Sequence, residues 1–347
     1  MEPFVTVIAP VRNEERYIER CLYSLARQDY PRERIEVLVV DGRSDDRTRE
    51  IITRFAAEST LDTRLIDNPA RTAAAAMNIG LRLARGDIIV RIDGHATLAP
   101  DYLRRAVHAL DASGADCVGG VLHSEGDTYA GRAIAAAMSS RFGAGGAAFR
   151  TGGSAGPVDT VAFGACRRRV FDILGGFRED IDAGEDDEFN YRLRDAGGVI
   201  LMLPELRATY TVRDNLRGLW RQYFSYGRAK PEVLRLHPAQ AQPRQLAPAA
   251  FVGALAVASV LVLRGRATPL RRLVGAYALA TACASLLAAF RRGLQHLPVL
   301  PLVFASIHIA YGIGFLAGVA NVVRRYLTGE RAAGDASAST HVTRPAD

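Results

Sequence analysis

Residues 86–95, GDIIVRIDGH, put Ile88, Ile89, Val90 and Ile92 in one mostly β-branched run, the composition of a buried strand. The run ends in Asp93-Gly94-His95. Alternation along a strand sets Asp93 and His95 on the same side, about two residues of rise apart. In an open α/β sheet, ligands bind beyond the carboxyl ends of the strands. A carboxylate and an imidazole there can hold a divalent cation, and the cation a diphosphate. Asp and Gly are also ordinary turn residues, so taken alone the strand end reads equally as a turn.

The preceding sequence repeats the pattern. Residues 4–9 read as a strand closed by Pro10, and residues 14–27 as a helix with Tyr17, Ile18, Cys21, Leu22 and Leu25 on one face. Residues 35–40 form a second apolar run, ending in the acidic stretch 41–46. A helix over 48–57, a short strand over 63–66 and an Ala-rich helix over 73–83 lead back to the opening strand. Strands alternating with helices predict an α/β fold with a doubly wound, mostly parallel central sheet. Three strand ends carry polar clusters, at Asn13-Glu14, at 41–46 and at 93–95, which suggests one ligand crevice. Capping competes with that role at the first two, since Asn13, Ser44 and Asp46 are all N-cap residue types. Beyond the crevice, a helix over 102–110 and strands over 115–121 and 158–165 are expected. Residues 131–157, rich in Gly, Ala and Ser, read as a mobile loop over the crevice.

The chain has 347 residues, 49% of them hydrophobic, and a formal net charge of +7. The apolar excess concentrates after Leu246. Residues 246–263, 273–290 and 298–323 are each long and apolar enough to cross a bilayer. The expected organisation is a catalytic domain over 1–213, an amphipathic interfacial segment over 214–245, a membrane domain of about three helices over 246–325, and a disordered tail over 326–347. Aromatics mixed with cations over 215–236 point to a helix at the membrane surface. A basic balance fits an anionic ligand or an anionic membrane; aromatic-basic interleaving typical of nucleic-acid grooves is absent from the first half. The amino terminus is too short in its apolar part for a signal peptide. The four cysteines (Cys21, Cys117, Cys166, Cys283) show no metal or disulfide spacing, so a reducing, cytoplasmic setting for the catalytic domain is expected. Three spans would then put Arg264, Arg266, Arg271 and Arg272 outside, against the positive-inside tendency.

VTVIAPVRNEE, VVDGRSDDRT and NIGLRLARGDIIVRIDGH, in that order, resemble an inverting family 2 glycosyltransferase of the GT-A fold. FGACRRRVFDILGGF and GEDDEFNYRLRDAGG resemble the acceptor half of that family. The apolar tail and QYFSYGRAK are similar to its bacterial exopolysaccharide subgroup, of succinoglycan-biosynthesis type. The resemblance implies a nucleotide-diphosphate sugar donor, usually a UDP-sugar, and a divalent metal, Mn or Mg. It places Pro10, Asn13 and Glu14 near the nucleotide, Asp41 on the base, and Asp46 at the last acid of the Asp-Gly-Ser-x-Asp pattern. Arg71 and Asn78 match donor-site positions, and Asp93 begins the Asp-x-Asp metal motif. Two positions depart from the family: Arg43 interrupts Gly-Ser, and His95 replaces the second metal-binding Asp. Imidazole suits Mn²⁺ better than Mg²⁺. Gln222-Tyr223-Phe224-Ser225-Tyr226 stands where processive members have Gln-x-x-Arg-Trp, which argues against a processive polymerase.

The four consecutive acids 185–188 precede or open a helix. Acids are stabilised at a helix N-terminus, yet four repel one another and capping needs fewer. The resemblance makes Asp186 the general base, with Glu185 orienting the acceptor or a neighbour and Arg192 bracing the acids. The expected activity is hexose transfer to a hydroxyl of a lipid-linked saccharide, at the cytoplasmic face of the cell membrane, alongside polysaccharide-assembly proteins. A polyprenyl-phosphate glycosyltransferase and an inactive nucleotide-sugar sensor are the alternatives.

Overall fold

The computed structural model describes residues 2–181 and 183–328. The expected tail is described only as far as Thr328; residues 329–347 lie outside the described part. Four parallel strands open the fold: β1 (Val5–Val11), β2 (Ile35–Asp41), β3 (Asp62–Asp67) and β4 (Ile88–Arg91), with α1 (Ile18–Ala26), α2 (Thr48–Glu58) and α3 (Ala73–Leu83) between them. Then follow β5 (Ala96–Leu98), α4 (Tyr102–Ser113), β6 (Cys117–Glu125), α5 (Tyr129–Met138), α6 (Arg141–Ala144), α7 (Ala148–Thr151) and β7 (Gly156–Pro157). The catalytic part closes with β8 (Ala162–Arg167), α8 (Arg168–Leu174), α9 (Glu185–Asp195) and β9 (Ile200–Thr211). The sheet runs β3-β2-β1-β4-β8-β6-β9-β5, with β7 on β9. It is doubly wound and parallel from β3 to β4 and mixed beyond, where β8 runs antiparallel to both β4 and β6.

Burial on both faces explains the continuous apolar runs of β1 and β2. Val5, Val7, Ala9, Val37 and Val39 pack toward α1 and α4, while Ile8, Leu38 and Val40 pack toward α3. β1 passes through Pro10 to Val11 rather than ending there, because β4 pairs only as far as Ile8 and requires no N–H from Pro10. At the amino-terminal edge, Glu36 is fully buried; it accepts from Thr6 (2.6 Å) and from the guanidiniums of Arg64 (2.6 Å) and Arg85 (2.9 Å).

Two expectations are corrected here. Residues 131–157 are not one open loop: α5 is a buried helix whose Ala133, Ile134 and Ala135 to Met138 pack under the apolar C-terminal helices. Alanine is small enough for close approach and is the strongest helix former, so a composition read as unable to bury surface is a packing surface. Cys117 and Cys166 are disulfide-bonded, brought face to face by the antiparallel register of β6 and β8.

α10 (Leu216–Leu236) leads into α11 (Pro243–Leu263), α12 (Thr268–Arg292) and α13 (Leu300–Thr328). By length and hydropathy these last three could each span a membrane. They differ in how much protein covers them: 11%, 22% and 44% of their apolar windows are buried. α13 is the most covered because it lies along α10. A Cβ on Gly227 would stand 2.1 Å from the Tyr311 carbonyl oxygen, and one on Gly314 2.2 Å from that of Phe224. The apolar face of α10 is therefore occupied by α13.

Candidate active site

The loops at the carboxyl ends of β1, β2 and β3 each hold one non-glycine residue in the left-handed region: Asn13 (φ 56°), Arg43 (φ 56°) and Arg71 (φ 61°). Such conformations cost of order 1–3 kcal/mol each and persist where surrounding contacts over-determine them. Here the contacts run between the loops. The Asn13 amide donates to Ser44 Oγ (2.8 Å) and the Asp45 amide to Asn13 Oδ1 (3.1 Å). The Glu14 amide donates to Thr48 Oγ1 (2.7 Å). Asp46 accepts from the amides of Thr48 (2.9 Å) and Glu15 (3.1 Å), opening α2 and tying it to the first loop. Asp41 is fully buried at the end of β2, held by the Ser44 amide (3.1 Å) and Arg49 (2.7 Å). The Asn68 amide donates to the Asp41 carbonyl (2.8 Å), tying in the loop after β3, so the three loops form one rim next to Pro10 near the end of β1.

Asn78 is placed elsewhere. Its amide bridges both polar atoms of the Phe177 backbone (2.7 and 2.8 Å) and Glu179 (2.8 Å), pinning the loop after α8 to α3. Where the resemblance makes Asn78 a donor contact, its hydrogen-bonding groups are here engaged by that loop.

Asp93 and His95 follow β4, where the resemblance puts the metal motif. His95 Nδ1 meets Glu14 Oε1 at 2.8 Å, its ring packs on Tyr210 with centroids 4.8 Å apart, and its buried Nε2 has no partner. Burial opposes protonation of His95, but Tyr210 and the Glu14 carboxylate outweigh it and raise the pKa above the ordinary imidazole value. Among the described residues no three His, Cys, Asp or Glu side chains converge. Asp93 alone fits a cation of the kind held by one carboxylate and substrate phosphates. It stands at the cavity wall, its Oδ1 3.2 Å from Arg91 Nε.

Arg91 joins this strand end to α9, where Glu185 Oε1 accepts from its Nη1 at 2.9 Å. The acids of α9 then separate by partner. Glu185 has Arg91, Asp187 has Lys230, and Glu188 has Arg192 (3.0 Å) and His237 (3.4 Å). Burial would lower the Lys230 pKa, but Asp187 holds it up and the ammonium stays charged. Among the described residues Asp186 has no cation of its own; its Oδ1 accepts only the Asp187 amide (2.9 Å). Burial, and then the neighbouring charges of Asp187 and Glu185, push its pKa up to about 7. A buried carboxylate that exchanges a proton near neutrality is matched to general-base work.

Sequence reasoning missed Arg91 and Lys230. The first was visible as a charge inside an apolar strand, and the second is the one lysine in a chain whose other cationic side chains are Arg or His. Asp93 and Asp186 both face a cavity of about 810 Å³. Its far wall is Pro248 and Phe251 of α11, Tyr277 of α12 and His308 and Tyr311 of α13. The cavity thus runs from the strand ends to the apolar helices.

Residues 6–174 match the family model described as Glycosyl transferase family 2. The succinoglycan biosynthesis protein ExoA of Rhizobium meliloti (strain 1021) is 35% identical over 260 residues, covering 72% of this chain and 78% of that protein. A dolichyl N-acetyl-alpha-D-glucosaminyl phosphate 3-beta-D-2,3-diacetamido-2,3-dideoxy-beta-D-glucuronosyltransferase of Methanococcus voltae is 28% identical over 241 residues, 67% of this chain and 74% of that one. In fold, the chain is similar to the mannosyltransferase PcManGT of Pyrobaculum calidifontis, solved with GDP-Man and Mn2+. The TM-score is 0.60 at 23% identity, over 92% of this chain and 88% of that one. Order of motifs, sheet, strand-end rim and these relatives lead to one conclusion: the chain is a member of glycosyltransferase family 2.

Proposed function

We propose that this glycosyltransferase inverts configuration as it transfers a hexose from a nucleoside diphosphate sugar, with uridine as the base, to a hydroxyl of a lipid-linked saccharide. One observation carries the reading. The cavity holding Asp93 and Asp186 continues to the faces of α11, α12 and α13, so an acceptor whose lipid stays among apolar helices can present its sugar to the base. The rim formed by Asn13, Asp41, Arg43 and Arg71 receives the nucleoside. Asp93 would hold a Mn²⁺ or Mg²⁺ ion, which when bound supplies positive charge to the diphosphate. Asp186 takes the proton of the acceptor hydroxyl as its oxygen attacks the anomeric carbon. Arg91 pairs with Glu185 and Lys230 with Asp187, which leaves Asp186 as the acid of this run free to take the acceptor proton. A positioned base contributes about 10²–10⁴-fold, and the rest comes from charge held against the leaving group. α11 starts and α12 ends on the catalytic side, where Arg244 pairs with Asp159 and the Tyr129 hydroxyl meets the Gln295 carbonyl. The catalytic domain is assigned to the cytoplasmic face of the cell membrane, where polysaccharide-assembly proteins would receive the product.

Mass spectrometry of lipid-linked products after supplying UDP-, GDP- and dTDP-hexoses tests the reading. One donor is expected to add one hexose to a lipid-linked saccharide. Hexose appearing directly on a polyprenyl phosphate would favour the phosphate-acceptor alternative and contradict the hydroxyl reading.

A further inference from the structure

Five cationic side chains line the cavity: Arg91, Arg141, Arg150, Lys230 and Arg244. Three are neutralised within the protein, Arg91 by Asp93 and Glu185, Lys230 by Asp187, and Arg244 by Asp159. Arg141 is exposed. Arg150, on α7, is different. Its guanidinium lies over the rings of Phe149 (5.2 Å) and Tyr210 (5.7 Å) and, among the described residues, makes no side-chain hydrogen bond or ion pair. Its Nη1 is buried and has no partner.

A buried cationic donor without an acceptor is costly, and aromatic faces offset only part of that cost. Neutral sugar hydroxyls would not call for a full charge here, since Tyr210, Tyr223 and Tyr226 already offer hydroxyls and rings to the same cavity. The planar fork of Arg matches a phosphate bidentately. We propose that Arg150 binds a phosphate group inside the cavity, a role resting on the glycosyltransferase reading above. Two phosphates can reach it. Tyr210 touches both Arg150 and His95, two residues from Asp93, which brings the donor diphosphate within range. The cavity also opens toward α11 to α13, the side from which a lipid-linked phosphate enters. Either way an anion completes Arg150.

The test uses the full chain in nanodiscs and the variants Arg150→Gln and Arg150→Lys. Calorimetry reads UDP, GDP and UMP; a pull-down on vesicles with and without polyprenyl phosphate reads the lipid. Arg150→Gln is expected to weaken one diphosphate or the lipid phosphate by about 10- to 100-fold. Arg150→Lys, which keeps the charge and loses the fork, is expected to fall between; it also separates lost binding from lost folding. Loss confined to UDP or GDP, with UMP unchanged, assigns the donor diphosphate; loss confined to polyprenyl vesicles assigns the lipid. If Arg150→Gln binds every probe like the native chain while transfer activity persists, the phosphate role is overturned and the glycosyltransferase reading stands. A native chain that binds none of the probes overturns both.

Discussion

Asp186 differs from the acids beside it by what it lacks. Glu185, Asp187 and Glu188 each hold a cation, and Asp186 is left with burial and like-charge neighbours that push its pKa up to about 7. The base is active when deprotonated. Transfer should therefore rise with pH through the region of 7 and level off above it, in a kcat/KM profile taken from pH 5 to 9. Asp186→Asn should lower turnover by about 10²–10⁴-fold while leaving donor affinity in calorimetry nearly unchanged. A large loss of donor affinity would instead move Asp186 to the donor site. The same shift has a cost in stability. A carboxyl whose folded pKa lies above its unfolded value binds more protons in the native state, so stability is lost as pH rises between the two. Asp186→Asn should accordingly melt higher than the native chain at pH 8 and no higher at pH 4, measured by thermal unfolding in detergent. The acid cluster was legible in the sequence because four adjacent acids exceed what a helix start requires, and the resemblance to the family singled out Asp186 within it. Which of them is unpaired was not, since Arg91 and Lys230 come from a strand and a helix far away in the chain.

Among the elements, α10 and α13 depend on close backbone approach. Val at position 227 would set its Cβ about 2.1 Å from the Tyr311 carbonyl, and a backbone oxygen cannot swing away. Gly227→Val should cost about 1–3 kcal/mol, seen in detergent melting. It should also lower turnover, because Lys230 and Tyr226 share the cavity wall on the same helix. Unchanged melting would mean that the two helices do not need to touch. The mixed character of residues 215–236 was legible as amphipathic. The partner of the apolar face was not, since a membrane surface and a packed helix ask for the same stripe. The β1 to β4 half was legible because parallel strands buried on both faces leave continuous β-branched runs. Helix α5 was not, because Gly and Ala counts were read as looseness where the fold uses them for contact.

At the scale of the whole molecule, the sheet and the apolar helices meet at one cavity, which Asp186 lines; among the described residues of α9 its neighbouring acids are each paired with a cation. Sequence order alone separates these parts by some sixty residues between Asp186 and Pro248, so only the folded chain shows that Asp186 and Phe251 line one space. A retaining double displacement would need a nucleophile across the anomeric carbon; among the described residues the acids flanking Asp186 are bound, Glu185 to Arg91 and Asp187 to Lys230. On the proposed reading, direct attack on the anomeric carbon with Asp186 as base inverts configuration. The measurement that decides this is the NMR coupling of the anomeric proton in the newly formed bond, after transfer from an α-linked nucleoside diphosphate hexose to the lipid-linked acceptor. A β-glycoside is expected; an α-glycoside would contradict the single-base account.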